Sequence, residues 1–169
     1  MTDRLTPAQR SRNMARIRGT HTAPERLLRS ALHRAGFRFR LHRRDLPGRP
    51  DIVLAKYSVV IFVHGCFWHR HPGCVYATSP KTRASFWFEK LSENRERDFR
   101  QVRALLGAGW RVLVVWECAL RNSDQQAAAV ASAIKWLRGT STYREVPASS
   151  SQSGRQREAL APRHGLESA

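Results

Sequence analysis

Two constellations of reactive side chains overlap in this sequence. The stretch VHGCFWHRHPGC, residues 63–74, holds His64, Cys66, His69, His71 and Cys74, with Phe67 and Trp68 between them. Cys118 lies far downstream, at the end of the apolar run WRVLVVWE. Cys66, His71, Cys74 and Cys118 are three thiols and an imidazole, the donor set of a closed tetrahedral zinc site. A closed site is structural, and here it pins an irregular loop to the end of a distant strand. Spacing alone leaves open whether His69 or His71 is the ligand. His71 lies nearer Cys74, which frees His69 for other work.

The second constellation is built on carboxylates. Asp51 follows LPGRP and opens the apolar run DIVLA. An acid at a strand's mouth offers the hard oxygen that Mg²⁺ prefers, although an Asp beside a turn also serves as a cap. At about 100° per residue, Trp87, Leu91, Asn94, Asp98, Val102 and Leu105 fall in one stripe of a long helix. That stripe is mostly apolar, so Asp98 sits on a core-facing surface. A buried acid must be paired, hydrogen-bonded or functional. The choices are an internal arginine or a histidine whose tautomer and charge it holds. Phosphodiester hydrolysis needs a metal on the phosphate, a base for water and an acid for the leaving oxygen. Asp51, His64 and His69 supply those types. Glu25 is either a helix cap or a further acid near the site.

The elements that position these residues follow from pattern. TAPERLLRSALHRAG reads as a helix capped by Thr22 or Ala23, with Pro24 in its first turn, Glu25 at the capping-box position and Gly36 as its stop. FRFRLHRR alternates and predicts a half-exposed strand. DIVLA (51–55) and SVVIFVH (58–64) predict two strands joined by a tight KY hairpin. The second lacks alternation and is expected to be buried on both faces. Residues 65–83 are irregular. A long helix over 85–109, a buried strand over 110–117 and a helix over 124–138 complete an α/β mixed-sheet domain. From 140 onward the chain is rich in Ser, Pro, Gly and Gln and reads as a disordered tail. The expected division is an Arg-rich arm at 1–21, a catalytic domain at 22–139 and a tail at 140–169.

Charge narrows the partner. The chain of 169 residues carries a formal net charge of +17, with 26 Arg and four Lys. Residues 1–50 hold 13 Arg against three acids. Such a balance favours a polyanion, and arginine suits bidentate phosphate and base contacts. No N-terminal apolar stretch resembles a signal peptide, and no run of about 18 apolar residues could cross a membrane. A cytoplasmic protein with reduced thiols is expected. Three cysteines near histidines then point to a metal before a disulfide.

The motifs RSRNMARIRGTHTAPE, LPGRPDIV, VIFVHGCFWH, FWFEKLSENRERD and GWRVLVVWECAL closely resemble the very-short-patch repair (Vsr) mismatch endonucleases. The resemblance spans residues 8 to about 138 and leaves the tail outside it. It implies a restriction-endonuclease-like fold, a mixed sheet flanked by helices. It also implies a nick in one strand of duplex DNA, 5′ to the T of a T:G mismatch left by 5-methylcytosine deamination. Asp51 and the backbone carbonyl of Val63 then hold Mg²⁺. His64 and His69 are the active-site histidines, Asp98 orients His69, and Glu25 lies nearby. Cys66, His71, Cys74 and Cys118 hold a structural zinc. Phe67 and Trp68 wedge beside the mismatch, where a wobble pair is cheaper to open than a matched one. Met14 is a candidate second wedge, and Arg12, Arg16 and Arg18 grip the backbone. Val63 stands where a member of the family has Thr, a change that a carbonyl ligand survives but that removes any hydroxyl role. The superfamily's second acid and lysine are missing after Asp51, so histidine chemistry must compensate. A monomer is expected, and the sequence leaves open whether mismatch-repair proteins help it load. Two readings compete with the resemblance: a restriction-type nuclease on matched duplex, and a non-catalytic, zinc-stapled DNA-binding module.

Overall fold

Thr22 starts the first helix, α1 (Ala23–Arg34), through a reciprocal capping box. Its hydroxyl accepts the Glu25 N–H at 3.4 Å, and the Glu25 carboxylate accepts the Thr22 N–H at 3.2 Å. Gly36, at φ +90°, ends the helix where a side chain would be strained. The computed structural model describes residues 19–147, together with Thr6, Gln9 and Arg12. Most of the expected arm and most of the expected tail therefore lie outside the described residues.

Among the described residues four strands form one sheet in the order β1-β2-β3-β4. β1 (Ile52–Leu54) and β2 (Val59–His64) run antiparallel. Their connection is a 3-10 turn over Ala55–Tyr57, closed by Ser58 in a left-handed conformation, rather than the two-residue hairpin expected. β3 (Arg111–Trp116) lies parallel to β2, and β4 (Tyr143–Val146) lies parallel to β3. The long helix α2 (Ala84–Gly107) links β2 to β3, and α3 (Ser123–Leu137) links β3 to β4. Parallel pairs need such crossovers.

The sheet is covered on both faces. Ile52, Leu54, Val59, Ile61, Leu113 and Val115 face Leu28 and Leu32 of α1 and Ala133 and Trp136 of α3. Val53, Val60, Phe62, Val112 and Val114 face Val102 and Leu105 of α2. Successive strand residues thus enter opposite cores, which is why β2 and β3 read as unbroken apolar runs. Each such side chain contributes roughly 1.5–3 kcal/mol by leaving water.

Two further expectations are corrected. FRFRLHRR forms no strand; it makes one bridge, Arg40 to Val53, with backbone bonds of 2.9 and 2.8 Å. The chain leaves the sheet edge at His42, whose φ of +48° is incompatible with extended pairing. The expected tail boundary at 140 is also too early. Tyr143–Val146 pairs along β3, and Val146 is buried. The polar composition of this edge strand hid it, because only Val146 is fully buried.

Candidate active site and metal centre

Parallel pairing assembles the site. β2 and β3 end together, with His64 opposite Trp116, so the segments that follow them emerge at the same end of the sheet. One is the loop from residue 65; the other is a 3-10 turn, Glu117–Leu120. Cys66 and Cys118 meet there across 52 positions of sequence. Cys118 belongs to that turn and not to the strand itself.

Cys66, His71, Cys74 and Cys118 form a group able to hold a metal, with donor atoms within 4.8 Å of one another. His71 Nδ1 lies 3.8 Å from Cys66 Sγ and 3.4 Å from Cys118 Sγ. Metal–ligand bonds of about 2.0–2.3 Å in a tetrahedron imply edges of about 3.3–3.8 Å, so these two distances fit. All three cysteines are free thiols. Burial, first of all, pushes the Cys66 and Cys118 thiols up, and the Cys74 thiol pushes both the same way. A dication reverses that balance by stabilising thiolates. His71 stacks on Trp116 with ring centres 4.2 Å apart, which fixes its plane. The structure therefore selects His71 over His69 for this cluster.

His69 turns the other way. Its Nδ1 lies 2.6 Å from Asp98 Oδ2, so Nδ1 carries the hydrogen and Nε2 is presented outward. Asp98 reaches it from the middle of α2. One turn earlier, Asn94 Nδ2 donates to the Trp68 carbonyl at 3.2 Å and ties the loop to the helix. His64 stacks on His69 at 3.9 Å with the rings nearly parallel. Burial and then the His69 charge hold His64 well below its ordinary value, so it is neutral. The expected apolar stripe on α2 is buried at Leu91, Val102 and Leu105, while Trp87 and Asn94 contact the loop at Phe67 and Trp68 and Asp98 lines the cleft.

β1–β2 pairing brings Asp51 beside the end of β2. Its Oδ2 accepts the Val63 N–H at 2.8 Å. Burial pushes its carboxyl up to about 6, Glu25 adds to the rise, and the Val63 bond opposes it. Asp51, Val63, His64, His69, Asp98 and Glu25 line one cleft of about 590 Å³, with Trp68, Arg49 and Arg97 on its walls.

Glu25 is more heavily engaged than its sequence position suggests. Oε1 accepts the Thr22 N–H and hydroxyl at 3.2 and 2.9 Å, and Oε2 accepts the His21 N–H at 3.0 Å and Arg29 at 2.5 Å. Its cap role and its place in the cleft coexist. Three residues absent from the sequence reading surround it: His21, Arg29 and His42. Arg29 carried a signal, since it follows Glu25 by one helical turn. His42 carried none, having been read as a strand residue.

Phe67 and Trp68 belong to an aromatic cluster that the sequence reading left incomplete. Their rings sit 5.1 Å apart, and Trp87 from the start of α2 completes the group at 5.6 and 6.1 Å. Arg12 is exposed. Met14, Arg16 and Arg18 lie outside the described residues.

Comparison with known proteins identifies the family. The family model for DNA mismatch endonuclease Vsr matches residues 2–74. The type II nicking enzyme V.XorIIP of Xanthomonas oryzae is 53% identical over 122 residues, covering 72% of this chain and 89% of that protein. DNA mismatch endonuclease Vsr of Escherichia coli is 49% identical over 125 residues, covering 74% and 80%. The type II nicking enzyme V.HpaIIP of Haemophilus parainfluenzae is 32% identical over 134 residues, covering 78% and 95%. These relatives make the chain a DNA endonuclease, and its metal-competent Cys/His cluster and acid-and-histidine cleft are consistent with that class. The chain belongs to the Vsr family of DNA mismatch endonucleases.

Proposed function

We propose that this endonuclease nicks one strand of duplex DNA, 5′ to the T of a T:G mismatch produced by 5-methylcytosine deamination. The fold is read as restriction-endonuclease-like. The observation that carries the reading is the shared cleft. It joins Asp51, the stacked His64–His69 pair and Asp98 to the wall that bears Trp68.

Asp51 and the Val63 carbonyl are hard oxygen donors and fit Mg²⁺. Bound there, Mg²⁺ polarises the phosphate and stabilises developing charge. Asp98 fixes the His69 tautomer so that Nε2 exchanges a proton at the phosphate. His64, neutral and stacked, supports the His69 plane and offers a second proton acceptor. Cys66, His71, Cys74 and Cys118 hold zinc, which fixes the loop that aims Phe67 and Trp68 into the base stack. Trp87 buttresses both rings. The enzyme acts in the cytoplasm, on the nucleoid.

End-labelled duplexes carrying one T:G mismatch, with T:A controls, test the proposal with and without Mg²⁺. A nick immediately 5′ to the mismatched T, only with Mg²⁺, is the expected result. Cleavage of both strands in matched duplex would establish a restriction-type nuclease. Binding without cleavage would establish a mismatch-recognition module.

A further inference from the structure

Arg29, buried on α1, sits at the centre of a cluster that the reaction as described does not use. Its guanidinium touches His21 Nδ1 at 2.9 Å, His42 Nε2 at 3.0 Å and Glu25 Oε2 at 2.5 Å. A guanidinium only donates. Both histidine nitrogens are therefore acceptors, and His42 Nε2 bears no hydrogen. Neutral His42 must carry its hydrogen on Nδ1, and that atom faces Asp51 Oδ1 from 3.7 Å. The opposite oxygen, Oδ2, is held by the Val63 N–H.

Glu25, His42 and Asp51 bring three potential metal donors within 4.8 Å. The tautomer excludes His42 from that set, since a nitrogen bearing hydrogen has no lone pair to give. The backbone supports a dedicated role. His21 and His42 both adopt left-handed conformations, at φ +56° and +48°, and their rings meet edge-on at 5.0 Å. Such conformations are uncommon away from glycine and persist where surrounding contacts demand them. Here the contacts are those to Arg29, and Arg49 Nε also donates to the His42 carbonyl at 3.3 Å.

We propose that Arg29 and His42 are positioning residues for the catalytic cation: Arg29 locks His42 as the Nδ1–H tautomer, and that N–H orients the Asp51 carboxylate towards the metal. This rests on the reading of Asp51 as a metal ligand. Donors of this kind tighten when the carboxylate takes its cation, and they set ligand orientation and basicity.

The test uses the full-length, zinc-loaded protein and Mn²⁺ as the probe, followed by electron paramagnetic resonance of the free ion without DNA. His42→Ala and Arg29→Met each weaken Mn²⁺ binding by about 10–100-fold. His42→Gln, which keeps an N–H donor, stays within about threefold of the parent. In nicking assays His42→Ala raises the Mg²⁺ requirement and leaves KM for DNA unchanged. Zinc content and unfolding temperature report folding. If His42→Ala loses its zinc, the comparison of Arg29→Met with His42→Gln decides. Parental Mn²⁺ affinity in Arg29→Met or His42→Ala overturns the proposal, as does His42→Gln binding as poorly as His42→Ala. Asp51→Asn separates the two layers. It abolishes Mn²⁺ binding if Asp51 is the ligand, and parental binding in that variant overturns the reading of Asp51 itself.

Discussion

Burial pushes the Asp51 carboxyl up to about 6 from an ordinary 3.8, and this shift has a thermodynamic consequence. The folded chain holds this proton more tightly than the unfolded chain does. Its favourable contribution to stability is therefore complete below about pH 3.8 and is lost as pH rises through about 6. At pH 7 the ionised side chain, 17% exposed, costs roughly 2–3 kcal/mol until a cation offsets it. Asp51→Asn keeps an acceptor for the Val63 N–H and removes the charge. In buffer without Mg²⁺ it raises the unfolding temperature at pH 7, the gain vanishes near pH 4, and nicking is lost at every pH. Thermal unfolding of both proteins across this range checks the sign. A variant less stable than its parent at pH 7 would show that the charge stabilises the fold. The same residue thus trades stability for function.

At the scale of elements, the short edge strand β4 matters more than its composition suggests. Glu145 accepts the Trp116 indole N–H at 2.9 Å and the Tyr143 hydroxyl at 2.5 Å. Trp116 in turn stacks on His71, so β4 braces the Cys/His cluster from behind. Arg111 donates to the Ser141 carbonyl at 2.9 Å and caps the end of α3 through the Trp136 carbonyl at 2.9 Å. A chain ended after Pro147 unfolds at the temperature of the full chain. A chain ended after Gly139 loses the β3–β4 ladder and buried Val146, and it is less stable by about 2–4 kcal/mol. Paired unfolding curves and zinc retention measure the difference. Equal stability of the two truncations would make β4 an ornament of the sheet edge.

For the whole molecule, the governing quantity is charge. A net +17 on 169 residues exceeds anything folding requires. Neutralising DNA phosphates releases counterions, so affinity falls with salt along a straight log–log line. With six or more phosphates engaged, DNA binding weakens by roughly 10³-fold or more between about 50 and 200 mM salt. Fluorescence anisotropy with a labelled duplex gives the slope, and a flat response would assign the arginines to solubility.

Sequence by itself determined the family and much of the scaffold. It picked out Cys66, Cys74 and Cys118 with a histidine from the same loop as a donor set, then Glu25, Asp51, Asp98, His64 and His69 as candidate site residues, and helices α1, α2 and α3. Residue type and local period carry these, because ligand chemistry and helix capping are short-range. Only the tertiary structure chose His71 over His69, since that choice depends on which way a loop turns between two parallel strands. It also brought His21, Arg29 and His42 around Glu25, and Trp87 against Phe67 and Trp68. Those contacts join segments whose spacing has no period to read. β4 escaped detection for a related reason. An edge strand needs one buried face and a neighbour's ladder, and neither leaves a strong mark on four residues.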